Sequence, residues 1–341
     1  VSGEPSQFTE LRIHYHGCLA VTAFNGSGQS DWTPWACTST FQLLEFAGQI
    51  GGFYGNQLAV QGTYAYVAGS NGLVVVDIAN PATPRELARY TVPPGSRMPR
   101  RPQDLAVVGS FAYIAAEAAG LRIVDISNPS NPREVGSLEL RGIAQSLDVS
   151  GNYAYVADAV GGDGRPLKVI DISNPANPRE VGGLDLNTPV PLAVTVAGNY
   201  AYLSADGLQF IDVSNPLRPL HVGGITTPGM ALTTSVVGRY LYLADFDGGL
   251  RIFDVANPAL PREVGAFTDS LAARHVLASG SRAYLSDGLD GLRLLHMANL
   301  ANPTQLMRYD TPGYAQYSAL VGDYLYVADG VNGLLILRVY P

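Results

Sequence analysis

GLRIVDISNPSNPREVGSL, from Gly120 to Leu138, recurs along the chain in altered spellings. GLVVVDIANPATPREL begins at Gly72, PLKVIDISNPANPREVGGL at Pro166, GLQFIDVSNPLRPLHVGGI at Gly207 and GLRIFDVANPALPREVGAF at Gly249. A worn copy, GLRLLHMANLANPTQLMRY, begins at Gly291, and GLLILRV from Gly333 runs into the C-terminus. A unit repeated in this way cannot bury its apolar face alone, so neighbouring copies must stack on one another.

Each copy follows a second signature, a glycine and a polar residue before alternating aromatic and small residues. These read GTYAYVA from Gly62, GSFAYIA from Gly109, GNYAYVA from Gly151 and GNYAYLS from Gly198, then GRYLYLA from Gly238, GSRAYLS from Gly280 and GDYLYVA from Gly322. Intervals of 40 to 47 residues separate them, the spacing of four-stranded propeller blades. Around Gly151, the pattern predicts an inner strand at Gln145–Ser150, a two-residue turn, and a second strand at Tyr153–Asp158. A third strand follows at Leu167–Ile172. The Asn174-Pro175 stretch breaks it, because proline lacks the donor, and Arg179–Leu186 forms the outer strand. The near-continuous apolar run Leu121, Ile123, Val124 and Ile126 reads as a strand buried on both faces.

Seven second-strand signatures predict an all-β, seven-bladed β-propeller of four-stranded antiparallel blades over residues 41–341. The last unit ends one strand short, and Phe41–Phe46 is expected to supply its outer strand and close the ring, removing open edges. GLRIVDISNPSNPREVGSL with GNYAYVAD resembles the LVIVD repeat of bacterial and archaeal surface or secreted propellers. That resemblance implies binding or structural modules. The final two units depart from it: His296 and Arg338 replace the strand-ending aspartate, and Leu300 the usual proline.

Residues 1–40 form a separate segment. Strand-like residues flank Asn25-Gly26-Ser27-Gly28, a hairpin signal. Folding about that turn sets Cys18 opposite Cys37, within the range of a disulfide. CLAVTAFNGSGQSDWTPWACT resembles the last two strands of a fibronectin type III domain, whose remaining strands are missing. The segment reads as a cap on the propeller or the remnant of an upstream domain. Alternatively it is an assembly hairpin using Phe24, Trp32 and Trp35 to complete a sheet in a neighbouring subunit, giving a homo-oligomer or filament. His14 and His16 share a strand face but lack a third ligand.

Composition narrows the function classes. The chain has 21 basic and 29 acidic residues, a formal net charge of −8, against the basic stripe of a nucleic-acid binder. No run is long enough for a membrane-spanning helix, and the N-terminus lacks a charged-then-apolar signal segment, so Val1 reads as the start of a processed or excised chain. Two pairable cysteines in a chain that is only 15% charged suit an extracellular or cell-surface setting. Lys168 is the sole lysine.

Recurring polar residues read as scaffold. Asp77, Asp125, Asp171, Asp212 and Asp254 end third strands before Asn-Pro turns, where a carboxylate accepts turn N–H groups. Arg85, Arg133, Arg179 and Arg262 suggest surface or inter-blade pairing. Asp158, Asp245, Asp287 and Asp329 open the loops after the second strands, and the Asp158–Gly164 loop offers oxygens without the alternating pattern of a calcium loop.

Function is sought where the copies differ. The loop Thr91–Gln103 brings Arg97, Arg100 and Arg101, and the loop Ala159–Pro166 is enlarged on the same face. Asn56 and Gln57, Gln103 and Asp104, Gln145 and Ser146, Arg274 and His275, and Gln316 and Tyr317 lead into inner strands and are expected to ring the channel mouth. Such a mouth suits an acidic protein loop or a polyhydroxylated ligand, a glycan among them. No nucleophile–base set is visible, so no enzyme, cofactor or metal is expected. A hydrolase reading would need Asp104 with His275 as an acid–base pair, or Asp104 with Asp148, which is expected at a blade interface.

Overall fold

The computed structural model describes residues 43–69, 72–93, 103–159, 164–186 and 190–340. The chain divides into two compact units, Phe46–Val339 and a second made of Val1–Glu45 with Tyr340–Pro341. Cys18, Cys37, Phe24, Trp32, Trp35, His14, His16, Arg97, Arg100 and Arg101 lie outside the described residues. In the second unit, the Tyr340 amide donates to the Leu43 carbonyl at 3.0 Å.

Seven four-stranded sheets make up the propeller. Blade three has its inner strand at Ile143–Ser150, then Tyr153–Ala159, Leu167–Asp171 and the outer Arg179–Leu184, each antiparallel to the one before. Blades one, two, four, five and six repeat that order over residues 57–91, 104–138, 193–225, 234–267 and 275–309. Blade seven takes three strands from Tyr317–Val321, Tyr324–Ala328 and Leu334–Val339, and its fourth is Leu44–Ile50. The ring is therefore closed between the two ends of the chain, as the incomplete last repeat requires. The closing strand lies three to four residues later than expected: Phe46, read as its end, is internal and 56% exposed. A run of apolar residues marked the strand, while the pairing to Leu334–Val339 sets its register.

Burial explains the repeat. Leu121, Ile123 and Val124 of the third strand are fully buried, as are Val169 and Ile170, because each sheet packs against the next on both faces. Second-strand tyrosines Tyr66, Tyr113, Tyr155, Tyr202, Tyr242, Tyr284 and Tyr326 are buried with them. The strand-ending aspartates cap the Asn-Pro turns: Asp77, Asp125, Asp171, Asp212 and Asp254 accept the amide two residues on at 2.8–3.0 Å. All five carboxyls lie below their ordinary pKa, Asp77 and Asp125 chiefly through those bonds, Asp171 and Asp212 chiefly through the side chains of Ser173 and Ser214, and Asp254 chiefly through Arg239.

The arginines that open outer strands pair inside their own blade, Arg85 with Asp77 at 2.8 Å and Arg179 with Asp171 at 3.4 Å. The outer-strand glycine has a packing cause. A Cβ on Gly136 would lie 2.0 Å from the Pro175 carbonyl oxygen in the turn of the next blade.

Lys168 is 1% exposed, with Nζ 3.5 Å from Asp158 Oδ2 and 3.6 Å from Glu180 Oε2. The same pairing recurs as Asp245 with Arg251 and Asp287 with Arg293. In the loop read as a possible oxygen-rich cation site, Asp158 is thus committed to a buried ammonium.

Candidate functional site

Side chains in a strand alternate sides, so one residue of each inner strand faces the central channel near its start. Register matches seven such positions: Gln57, Asp104, Ser146, Ala193, Thr233, His275 and Tyr317. All of them but His275, together with residues that precede them, line a mouth cavity of about 180 Å³ that draws on all seven blades, blade six through Arg274. Gln103, Asp104, Gln145, Arg274, Gln316 and Tyr317 are brought together there, as the repeat alignment predicted. A second chamber of about 400 Å³ continues along the channel.

Loops fix the mouth from above. Backbone bridges join Glu117 to Ala144, Phe246 to Ala273 and Gly288 to Ala315, tying each loop after a second strand to the approach of the next inner strand. At that position two blades use Gly288 and Gly330, with φ of 59° and 57°. Blades two and five instead hold Glu117 and Phe246 at φ 47° and 44°, a left-handed conformation costly for a bulky residue. Both odd residues serve the mouth. The Gln103 amide donates to Glu117 Oε1 at 2.6 Å. The Arg274 guanidinium carbon lies 5.2 Å from the Phe246 ring centre and 5.0 Å from that of Tyr314, and Arg274 Nε donates to the Tyr314 hydroxyl at 2.9 Å. Two rings therefore hold a guanidinium whose remaining N–H groups have no protein acceptor among the described residues. The Gln316 amide donates to the Tyr54 hydroxyl at 3.1 Å. Glu117, Phe246, Tyr314 and Tyr54 were not singled out in the sequence. The departure from glycine at 117 and 246 was the available signal.

Within the channel, Asp104 Oδ2 accepts the Ser146 hydroxyl at 2.5 Å and the Leu147 amide at 3.0 Å. Ser146 Oγ accepts the Val194 amide at 3.2 Å, and Asp148 Oδ2 that of Val196 at 2.8 Å. Side chains thereby join blades two, three and four where no sheet connects them. Burial pushes the Asp104 carboxyl up to about 6 against these bonds, and raises that of Asp148.

One expectation is corrected. His275 sits in the deeper chamber rather than at the mouth, buried, with its ring stacked 3.7 Å from Tyr317. Burial presses its pKa down to about 3. The Ser318 amide donates to Nδ1 at 3.3 Å, so the neutral ring carries its proton on Nε2. Asp104, which lines the same chamber, is bonded instead to Ser146 and Leu147. Asp148, expected at a blade interface, both bonds across that interface and lines the chamber, because it lies two residues beyond Ser146 on the same strand face. Among the described residues no group of three His, Cys, Asp or Glu is placed to hold a metal, and no helix is long and apolar enough to cross a membrane.

Seven stacked sheets around a polar channel define a β-propeller repeat protein. The chain belongs to the LVIVD repeat family, whose model matches residues 54–92, 99–139, 141–185, 193–227, 228–269 and 312–339. The unmatched blade-six stretch contains His296 and Leu300, two of the three departures noted above. A search of curated proteins gave no match.

Among solved structures, the β-propeller domain of Myceliophteria thermophila Cps50 (Swd1) is similar at 14% identity with a TM-score of 0.68, covering 87% of this chain and 100% of that one. The WD40 β-propeller domain of Doa1 is 9% identical, with a TM-score of 0.68 and coverage of 87% and 98%. The computationally designed Ika8 protein is 11% identical, with a TM-score of 0.65 and coverage of 86% and 100%. These likenesses concern the fold.

Proposed function

We propose that the chain is a non-catalytic interaction module of the cell exterior that binds a protein partner through the channel-mouth face. The observation carrying this reading is the composition of that face. Loop residues Leu271, Leu289 and Val331 are 71%, 76% and 71% exposed, beside the amide-lined mouth and the ring-held Arg274. Exposed apolar side chains around a polar centre suit protein recognition, and an arginine immobilised by aromatic rings suits a carboxylate on the partner. The test is retention of extracellular proteins by immobilised full-length chain and by a Leu271→Asp, Leu289→Asp, Val331→Asp variant. A specific partner held by the wild type and lost by the variant is expected; equal retention refutes the reading.

Self-assembly through residues 1–38 is a second element of the proposal, motivated by the aromatic hairpin expected from the sequence there. Removing those residues should lower the oligomeric state measured by light scattering, and an unchanged state removes that element. The alternative is a glycan ligand, favoured by the five amide side chains Asn56, Gln57, Gln103, Gln145 and Gln316 around the mouth. A glycan array tests it: sugar binding abolished by Arg274→Ala would displace the protein-partner reading.

A further inference from the structure

Arg274 is the one cation lining the mouth among the described residues, and two neighbouring loops are shaped around it. Paired backbone bonds of 3.1 Å join Phe246 to Ala273, the residue before Arg274, and so bring the Phe246 ring to the guanidinium. Phe246 does this at φ 44°, where blades six and seven use glycine. A bulky residue in the left-handed region is strained, and such strain persists where the surroundings impose it, often at functional sites. One blade on, the requirement is reversed. A Cβ on Gly288 would lie 2.9 Å from Tyr314 Cζ, so glycine there leaves room for the second ring.

The Tyr314 hydroxyl takes Arg274 Nε. That leaves Nη1 and Nη2, the pair that meets a carboxylate side by side. The acids near the mouth stand across the ring on blade two, where Glu117 accepts from Gln103 and Asp104 from Ser146 and Leu147. An arriving anion therefore finds its attraction on the blade-six side.

Size and rim define what carries that anion. The mouth cavity is about 180 Å³, room for roughly six waters at about 30 Å³ each. It admits one extended side chain and excludes a strand or helix. Exposed Leu271, Leu289 and Val331 lie on or lead into blades six and seven. Leu271 stands just before Arg274, Leu289 follows Gly288, and Val331 follows Gly330, where a Cβ would meet that of Tyr314 at 3.1 Å. A held arginine ringed by apolar side chains that exclude water has the make-up of an interface hot spot.

We propose that one acidic side chain of the protein partner, flanked by apolar residues, enters the mouth. Its carboxylate docks on Arg274 Nη1 and Nη2, and its neighbours rest on Leu271, Leu289 and Val331. Resting on the partner-binding reading, this centres the footprint on blades six and seven and makes a carboxylate the recognised group. Phe246 is then a positioning residue.

The experiment is saturation-transfer NMR on the full chain with acetyl-Leu-Glu-Leu-amide, its isosteric Leu-Gln-Leu counterpart and butyrate. The Glu peptide is expected to bind saturably, at least about fivefold tighter than either of the others (roughly 1 kcal/mol). Arg274→Gln should abolish the preference for Glu over Gln with unchanged circular dichroism. Phe246→Gly should weaken the Glu peptide about threefold without lowering Tm, a split that a ring serving only stability would not give. Absence of peptide binding, equal binding of the Gln peptide, or a preference that survives Arg274→Gln overturns the proposal. Butyrate binding as tightly as the Glu peptide also overturns it, since a free small acid would then be the ligand. If the peptides fail while the Leu271→Asp, Leu289→Asp, Val331→Asp variant still loses its extracellular partner, only the carboxylate docking falls. Equal retention by that variant removes the partner reading itself.

Discussion

Lys168→Met tests the buried pairs that recur between second and third strands. The substitution keeps most of the aliphatic stem and removes the ammonium 3.5 Å from Asp158 Oδ2, at a site where the side chains are 1% and 0% exposed. Breaking a buried pair from one side costs about 3–5 kcal/mol, because the remaining charge stays in a low-dielectric site. Glu180 is part-exposed and can turn to water, so the cost falls on Asp158. With an unfolding entropy of about 2.1 cal/mol/K per residue over roughly 290 propeller residues, that cost lowers Tm by about 5–8 °C.

Differential scanning calorimetry reads the shift directly. The Asp158→Asn, Lys168→Met double variant should recover most of the loss, since a neutral pair removes the stranded charge. A single variant within about 1 kcal/mol of the wild type would refute the reasoning. Other blades already hold the comparison. Blade four has Ala205 and Gln209 at the paired positions and dispenses with both charges. Blade seven keeps buried Asp329 but sets Leu335 where the cation stands, and burial raises its carboxyl.

Gly136→Ala should destabilise by about 1–3 kcal/mol in chemical denaturation, because the added Cβ meets the Pro175 carbonyl oxygen at 2.0 Å. At Phe246, where φ is 44°, an alanine variant should be about 1 kcal/mol less stable than a glycine variant, reversing the usual preference. His275 is neutral when folded, its pKa lowered to about 3 from an ordinary 6.5. Its contribution is therefore present above about pH 6.5 and falls by about 1.4 kcal/mol per pH unit below it. His275→Asn, which keeps an acceptor for the Ser318 amide, should reduce that slope by one proton in denaturation measured across the acid range.

The channel shows why some residues were legible and others were not. Gln103, Asp104, Gln145, Arg274, Gln316 and Tyr317 could be placed together because each repeat counts residues from the same Gly turn, and the strand period carries that count to the mouth. Asp148 was read as an interface residue and is one, bonding the Val196 amide of the next blade, while its carboxylate also lines the chamber, a second role the repeat alone does not reveal. Alternation names a face of a strand, and in a propeller one face can meet channel and neighbour together.

Seven blades, antiparallel order, Asn-Pro turns and ring closure all follow from the amino-acid sequence. They depend on local chemistry (glycine turns, proline breaks, apolar runs) repeated at a constant interval, which a linear chain displays directly. Only the tertiary structure decided that Phe246 and Tyr314 hold Arg274, that Lys168 meets Asp158 and Glu180, and that Asp104 and Asp148 bond the strands of neighbouring blades. Those relations join residues through the curvature of the ring and the depth of the channel. Burial then decides which charges need a partner, and burial is a property of the closed propeller.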